Sequence, residues 1–167
     1  EQLLISLYER VSASVVNIAQ GESPRSHVSH MAPGESFRTA EDAQGIFIDP
    51  RSYRRYDSLA AIFDSLDTAG VAELSRNLEP LLQEAYHDLG YPDGDFDEVL
   101  ASAVAHLSDV PVVNGNVYLT PTVKGFDLAD PSLQSLSQAQ KNLLRTGPEN
   151  TKIIQDKLAD IAAELGI

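Results

Sequence analysis

Cysteine is absent from the 167 residues, and so is tryptophan. Without thiols the chain has no disulfide framework, no thiolate metal site and no cysteine nucleophile. A cysteine-free domain folds equally well in reducing and oxidising compartments. Positive charge is scarce: 12 Lys and Arg stand against 25 Asp and Glu, a net charge of −13. Such a surface repels phosphate backbones and anionic headgroups, which argues against nucleic acid and bare membrane as partners. No apolar run approaches the roughly 18 residues that cross a bilayer. The first residues, Glu1 to Ile5, also lack the basic flank of a signal peptide. Any membrane attachment is therefore expected through an anchor upstream of Glu1. Apolar residues are plentiful, at 43% against 22% charged, enough for one hydrophobic core in a single domain spanning 1–167.

Apolar residues three and four apart mark the helices. Leu4, Leu7, Val11, Val15 and Ile18 form one stripe and predict a helix within 1–20. Residues 21–44, beginning with a glycine, proline and serine-rich stretch, read as a loop. Residues 45–167 read as a helical body that opens on a brief strand at Gly45 to Pro50. Leu59, Ile62, Phe63 and Leu66 give Tyr53 to Leu66 an inward face. Asp67 caps a further helix carrying Val71, Leu74, Leu78, Leu81, Leu82, Ala85 and Leu89, which stops at Gly90. Pro80 predicts a kink or break in it near Asn77 to Glu79.

Asp95 with Glu98, and Ser137 with Gln140, have the spacing of capping boxes. Between those helix starts, the β-branched and aromatic stretch around Asn114-Gly115 predicts a small hairpin, with Asn116 to Thr120 as its strand. Gly147-Pro148 reads as a corner, a helix stop followed by an N1 proline, leading into a last helix with Ile154, Leu158, Ile161 and Leu165 as its seam. The expected fold is mainly α: a single-domain helical bundle of about six helices with at most a small β-hairpin or short strands.

Negative charge concentrates on the central helices, where Asp57 to Asp109 holds twelve acids and one base, Arg76. Asp93, Asp95 and Asp97 match the first three ligand positions of a calcium loop. Glu98 and Val104 then stand where that loop needs glycine and a bidentate glutamate, so helix capping is the better reading. His27 and His30 are three apart but have no third ligand nearby, and read as surface residues. His87 and His106 fall on helices beside core positions, where an imidazole usually satisfies a hydrogen bond. Arg51, Arg54 and Arg55, interleaved with Tyr53 and Tyr56, form the one basic cluster, available to the domain's own acids or to an anionic partner. No serine elbow, triad order or glycine-rich phosphate loop is present, so no catalytic residue, metal ligand or cofactor is assigned.

The run Leu81-Leu82-Gln83-Glu84-Ala85-Tyr86-His87-Asp88-Leu89-Gly90-Tyr91-Pro92 resembles a bacterial family of unknown function, the one numbered 3014. Ala129-Asp130-Pro131, Leu136-Ser137, Gln140-Lys141, Leu144-Arg145 and Gly147-Pro148-Glu149-Asn150 agree with it, as does Gly21-Glu22-Ser23-Pro24-Arg25. Gly125 and Thr146 depart from it, standing where bulkier or aromatic residues are expected. The resemblance implies no activity. It implies an envelope protein on the periplasmic side of the inner membrane, anchored by a transmembrane segment and linker that precede the domain. The expected function is a non-enzymatic interaction or scaffold module with a protein partner. The alternative is a small-ligand-binding domain or hydrolase with a pocket near Tyr86, His87, Tyr91 and Arg145.

Overall fold

The computed structural model describes residues 2–29 and 32–167, so His30 of the His27/His30 pair lies outside the described residues. Within them the chain forms α1 (Gln2–Ala19), a 3-10 turn (Pro24–Ser26), β1 (Thr39–Asp42), β2 (Gly45–Ile48) and a second 3-10 segment (Pro50–Tyr56). Then come α2 (Asp57–Ser65), α3 (Thr68–Asp88), α4 (Phe96–Ser108), β3 (Leu119–Thr122), β4 (Gly125–Leu128), α5 (Pro131–Gln134), α6 (Gln138–Leu144) and α7 (Pro148–Leu165). The mainly α expectation stands, with seven helices for the six expected and two antiparallel hairpins for one.

Both hairpins turn in two residues, pairing Asp42 with Gly45 and Thr122 with Gly125. The second turn is therefore at Val123-Lys124 and not at Asn114-Gly115, which lie before the strand. Each turn is followed by a glycine at positive φ, 136° for Gly45 and 143° for Gly125. Only glycine adopts that conformation cheaply, which explains Gly125 in a position expected to be bulkier. Strand β1, Thr-Ala-Glu-Asp, was hidden in the predicted loop because its side chains stay largely in solvent and carry no apolar alternation. A bridge between Phe47 and Tyr118 joins the two hairpins, their rings meeting edge to face at 5.9 Å.

Two hydrophobic clusters hold these elements. The larger gathers Ile48, Val117, Leu119 and Leu128 from the hairpin region with Leu143, Leu144 and Ile154 from α6 and α7. The smaller joins Val16 of α1, Leu82 and Tyr86 of α3, and Phe96 of α4. Helix α4 reaches both, through Leu107 at one end and Val99 and Leu100 at the other.

Helix α3 passes Pro80 without the expected break. Proline removes the amide that would bond the carbonyl of Arg76. Both residues are exposed, so water can serve that carbonyl in place of the amide. Pro80→Ala restores the bond and should raise stability by about 2 kcal/mol, read as a higher midpoint in urea.

Three aspartates brace the connections. Asp42 accepts from the amides of Gln44 and Gly45 and from the Tyr118 hydroxyl at 2.8 Å. The buried Asp49 takes the Arg51 guanidinium at 2.5 and 2.9 Å, and Asp130 caps α5 through the Ser132 amide and hydroxyl. The Gln44 amide holds Asp42 below the usual carboxylate range, the Arg51 side chain does so for Asp49, and the Ser132 hydroxyl for Asp130. Because each folded pKa lies below its unfolded value, the stability these groups contribute is complete above about pH 5 and is lost as pH falls through the unfolded and then the folded values. Calorimetry should therefore show a level melting temperature from neutrality to about pH 5, then a decline that Asp49→Asn makes shallower.

Candidate functional site

The turn between α6 and α7 builds the first candidate. Ser137 and Gln140 complete a reciprocal capping box, starting α6, and Arg145 ends it. Gly147 then takes φ 95° and ψ 161°, and Pro148 opens α7. The Tyr53 ring fills the space beside Gly147: a Cβ there would lie 2.7 Å from Tyr53 Cβ and 2.8 Å from its Cδ2. The buried Asn150 amide donates to Tyr53 O at 3.1 Å, Asp57 Oδ1 at 3.0 Å and Thr146 O at 3.0 Å, tying three segments together. Burial pushes the Tyr53 phenol above its ordinary pKa.

Over this corner opens a cleft of about 320 Å³, whose polar lining includes Arg54, Asp57, Asn114, Asn116 and Glu149. The Thr146 hydroxyl of the lining is committed elsewhere: Thr146 Oγ1 donates to Leu143 O at 2.7 Å, and the neighbouring Thr151 Oγ1 does so at 3.0 Å. Those bonds explain a threonine at 146. The cleft offers charges of both signs to a polar ligand.

Of the residues predicted to line a pocket, Tyr86, His87 and Tyr91 come together around packed side chains. The Tyr86 and Tyr91 rings stack at 5.0 Å, Phe96 meets Tyr86 edge to face, and Gly94 lies against the Tyr86 ring. Tyr91 Oη accepts from Gln20 Nε2 at 2.6 Å. His87 is exposed, though its ring centre lies 6.5 Å from that of the buried Tyr86, and its Nε2 meets Gln83 Nε2 at 2.5 Å. His106 is half-buried and bonds Ser137 Oγ at 2.7 Å through Nε2. Arg145 belongs to another neighbourhood, among Arg25, Tyr56 and Asp127.

The basic cluster also divides. Arg51 pairs with Asp49, Arg54 lines the cleft, and Arg55 lies over Phe37 and Tyr56, 5.5 and 5.2 Å from their ring centres. Phe37 in turn packs on Phe126 with ring centres 6.3 Å apart, and both are more than a third exposed. Beside them, residues 21–25 run along α6. Ala139 N donates to Gly21 O at 3.2 Å, and Asn142 Nδ2 donates to Ser23 Oγ at 2.7 Å. The Phe37, Arg55 and Phe126 surface draws on three separate segments, and no spacing in the sequence announces it. Asp95 turns its carboxylate inward to cap α4, accepting from Asp97 N and Glu98 N.

The family described as "Protein of unknown function (DUF3014)" matches residues 7–162. No curated protein and no solved structure matches the chain.

Proposed function

The chain belongs to the DUF3014 family, whose description assigns no activity, and from that premise we propose that the domain acts by binding a protein partner and not by catalysis. The observation that carries this reading is the exposed Phe37 and Phe126 pair with the Arg55 guanidinium over it. Aromatic and arginine side chains in contact supply much of the binding energy at protein interfaces. Val123 stands fully exposed at the tip of the same hairpin as Phe126 and extends the apolar surface.

Among the described residues no helix is long and apolar enough to cross a membrane. The envelope setting is carried by the family resemblance, with an anchor preceding the domain. Crosslinking of the full-length protein in cells tests both parts. The expected result is an envelope protein captured by the parent and lost from Phe37→Ala with Phe126→Ala. A cytosolic, partner-free protein overturns the reading.

A second reading is favoured by the polar cleft at the corner: binding of a small polar ligand between Arg54, Asp57 and Glu149. It relocates the expected pocket away from Tyr86 and Tyr91, whose rings are packed against each other. A thermal-shift screen in which one small-molecule class stabilises the parent, and not Arg54→Ala, would favour it.

A further inference from the structure

Resting on the cleft reading above, and independent of the partner surface, we infer that the cleft at the corner of α6 and α7 takes a free α-amino acid with an apolar side chain, its ammonium on Asn150 and Asp57 and its carboxylate on Arg54. Asn150 is the anchor. It is only 6% exposed, and its Nδ2 faces three oxygens, Tyr53 O, Asp57 Oδ1 and Thr146 O. Three acceptors around one end of a side-chain amide mark that end as the nitrogen and put Oδ1 at the other. Among the described residues every side-chain oxygen sealed from solvent has a partner, whereas no donor there reaches Asn150 Oδ1. That oxygen therefore keeps an opening. Because Asn150 lines the cleft, the opening is into it, and a nine-tenths buried acceptor offers its lone pairs to the occupant.

The same residue sets a carboxylate beside that oxygen. The bond to Asp57 Oδ1 leaves Asp57 Oδ2 without a donor among the described residues, so an ammonium seated there meets two acceptors, one of them charged. Glu149 adds a second negative charge to the lining. Arg54 is the one cation of the lining and, among the described residues, forms no ion pair, although Asp57 stands three residues away. It shares the cleft with the first turn of α7, whose cap, Gly147, supplies no side-chain acceptor and whose first residue is a proline. Amides at such an end carry partial positive charge, so Arg54 and α7 favour a carboxylate together.

Size and charge select the ligand. At about 320 Å³ the cleft lies at the small end of the usual range for ligand sites, roughly 300–1,000 Å³. A lone anion is repelled by a chain of charge −13, and a lone cation leaves Arg54 unmatched, whereas a zwitterion sets each charge against its opposite. A second groove continues from the first. The two share Asn114, Pro148 and Glu149, and beyond them Val112 and Ile153 line the continuation, which gives an apolar side chain its place.

L-Leucine is the probe. Titrated into the 15N-labelled domain just below neutrality, it should shift the Asn150 side-chain amide and the Gly115 backbone amide saturably, with a dissociation constant below about 10 mM. 4-Methylpentanoate, which lacks the ammonium, and L-leucinamide, which lacks the carboxylate, should each bind at least about tenfold more weakly, because each forfeits charge-assisted hydrogen bonds. Either one binding as tightly as leucine overturns the inference, and so does glycine doing so, since it has no side chain for the groove. This comparison on the parent needs no variant. Two exposed substitutions then assign the ends. Arg54→Gln should weaken leucine and leave leucinamide unchanged, whereas Asp57→Asn, which keeps an oxygen for Asn150, should weaken leucine and leucinamide alike. Leucine held equally by both variants and the parent overturns the assignment. If leucine is inert while another small-molecule class stabilises the parent through Arg54, the amino acid falls and the cleft reading stands; if no class binds, both fall.

Discussion

Removing Thr151 to Ile167 should abolish the cooperative thermal melt. Helix α7 packs on α2, α3, α4 and α6, and Ile154 and Leu158 are part of the larger hydrophobic cluster. It also serves the ends of its neighbours: Gln155 Nε2 donates to Leu107 O and Val110 O at 2.9 Å, and Lys157 Nζ donates to Leu66 O at 2.8 Å. Those carbonyls follow the last turns of α4 and α2, where helices leave acceptors without internal donors. Burial of one large aliphatic side chain contributes about 1.5–3 kcal/mol. Loss of several, together with the capping donors, matches the 5–15 kcal/mol that typically separates folded from unfolded domains. Circular dichroism during heating should show a broad, non-sigmoidal loss of helix, and limited proteolysis should leave no resistant core.

Gly147→Val should cost about 3 kcal/mol or more. At φ 95° a β-branched residue is strained, a cost of order 1–3 kcal/mol. Its Cβ would also enter the Tyr53 ring, adding an overpacking cost of about 1–3 kcal/mol. The two costs separate experimentally: adding Tyr53→Gly removes the Cβ and ring atoms in the way and leaves the backbone strain, so Gly147→Val should lose less in that background than in the parent. Urea midpoints of the four chains read the difference.

This corner was legible because its signals are local. Ser137 and Gln140 satisfy each other's backbone three residues away, Asp67 and Asp95 cap the helices they precede, and Gly147-Pro148 joins two helix ends with no intervening partner. Which side of a helix faces inward was legible for α4 and α7, whose Val99, Leu100, Leu107, Ile154 and Leu158 belong to the clusters, and only in part for α1, α2 and α3. In those three, Ser12, Ala13, Ala60 and Ala72 are buried along with Val16, Leu82, Ala85 and Tyr86, whereas Leu7, Val11, Ile62, Leu74, Leu81 and Leu89 remain exposed. Small residues let two backbones approach, and the large apolar side chains splay to the flanks of that seam. Periodicity counts the large ones and so points one position away. Ser12 shows the consequence: fully buried, it donates to Leu82 O at 3.2 Å across the α1 and α3 contact.

The candidate residues divide along the same line. Tyr86, His87 and Tyr91 are near one another in sequence and were found together, but their closeness serves packing. Arg145 was singled out, whereas the Phe37 and Phe126 pair lies in a loop and a hairpin whose association is set by tertiary contacts alone. Asn114-Gly115 illustrates the converse. The dipeptide is a genuine turn signal, and the structure uses it to line the cleft instead of to join strands.

The stretch from Gly21 to Ser23 is gauged against α6. Three helical residues advance about 4.5 Å, whereas two extended residues advance about 6.6 Å. Gly21 and Ser23 bond Ala139 and Asn142, three residues apart, and the left-handed turn of Gly21 at φ 77° lets two residues match the shorter helical step. Lengthening the chain by one residue between Gly21 and Ser23 therefore carries Ser23 past Asn142, whereas the same insertion after Arg25 leaves the match intact.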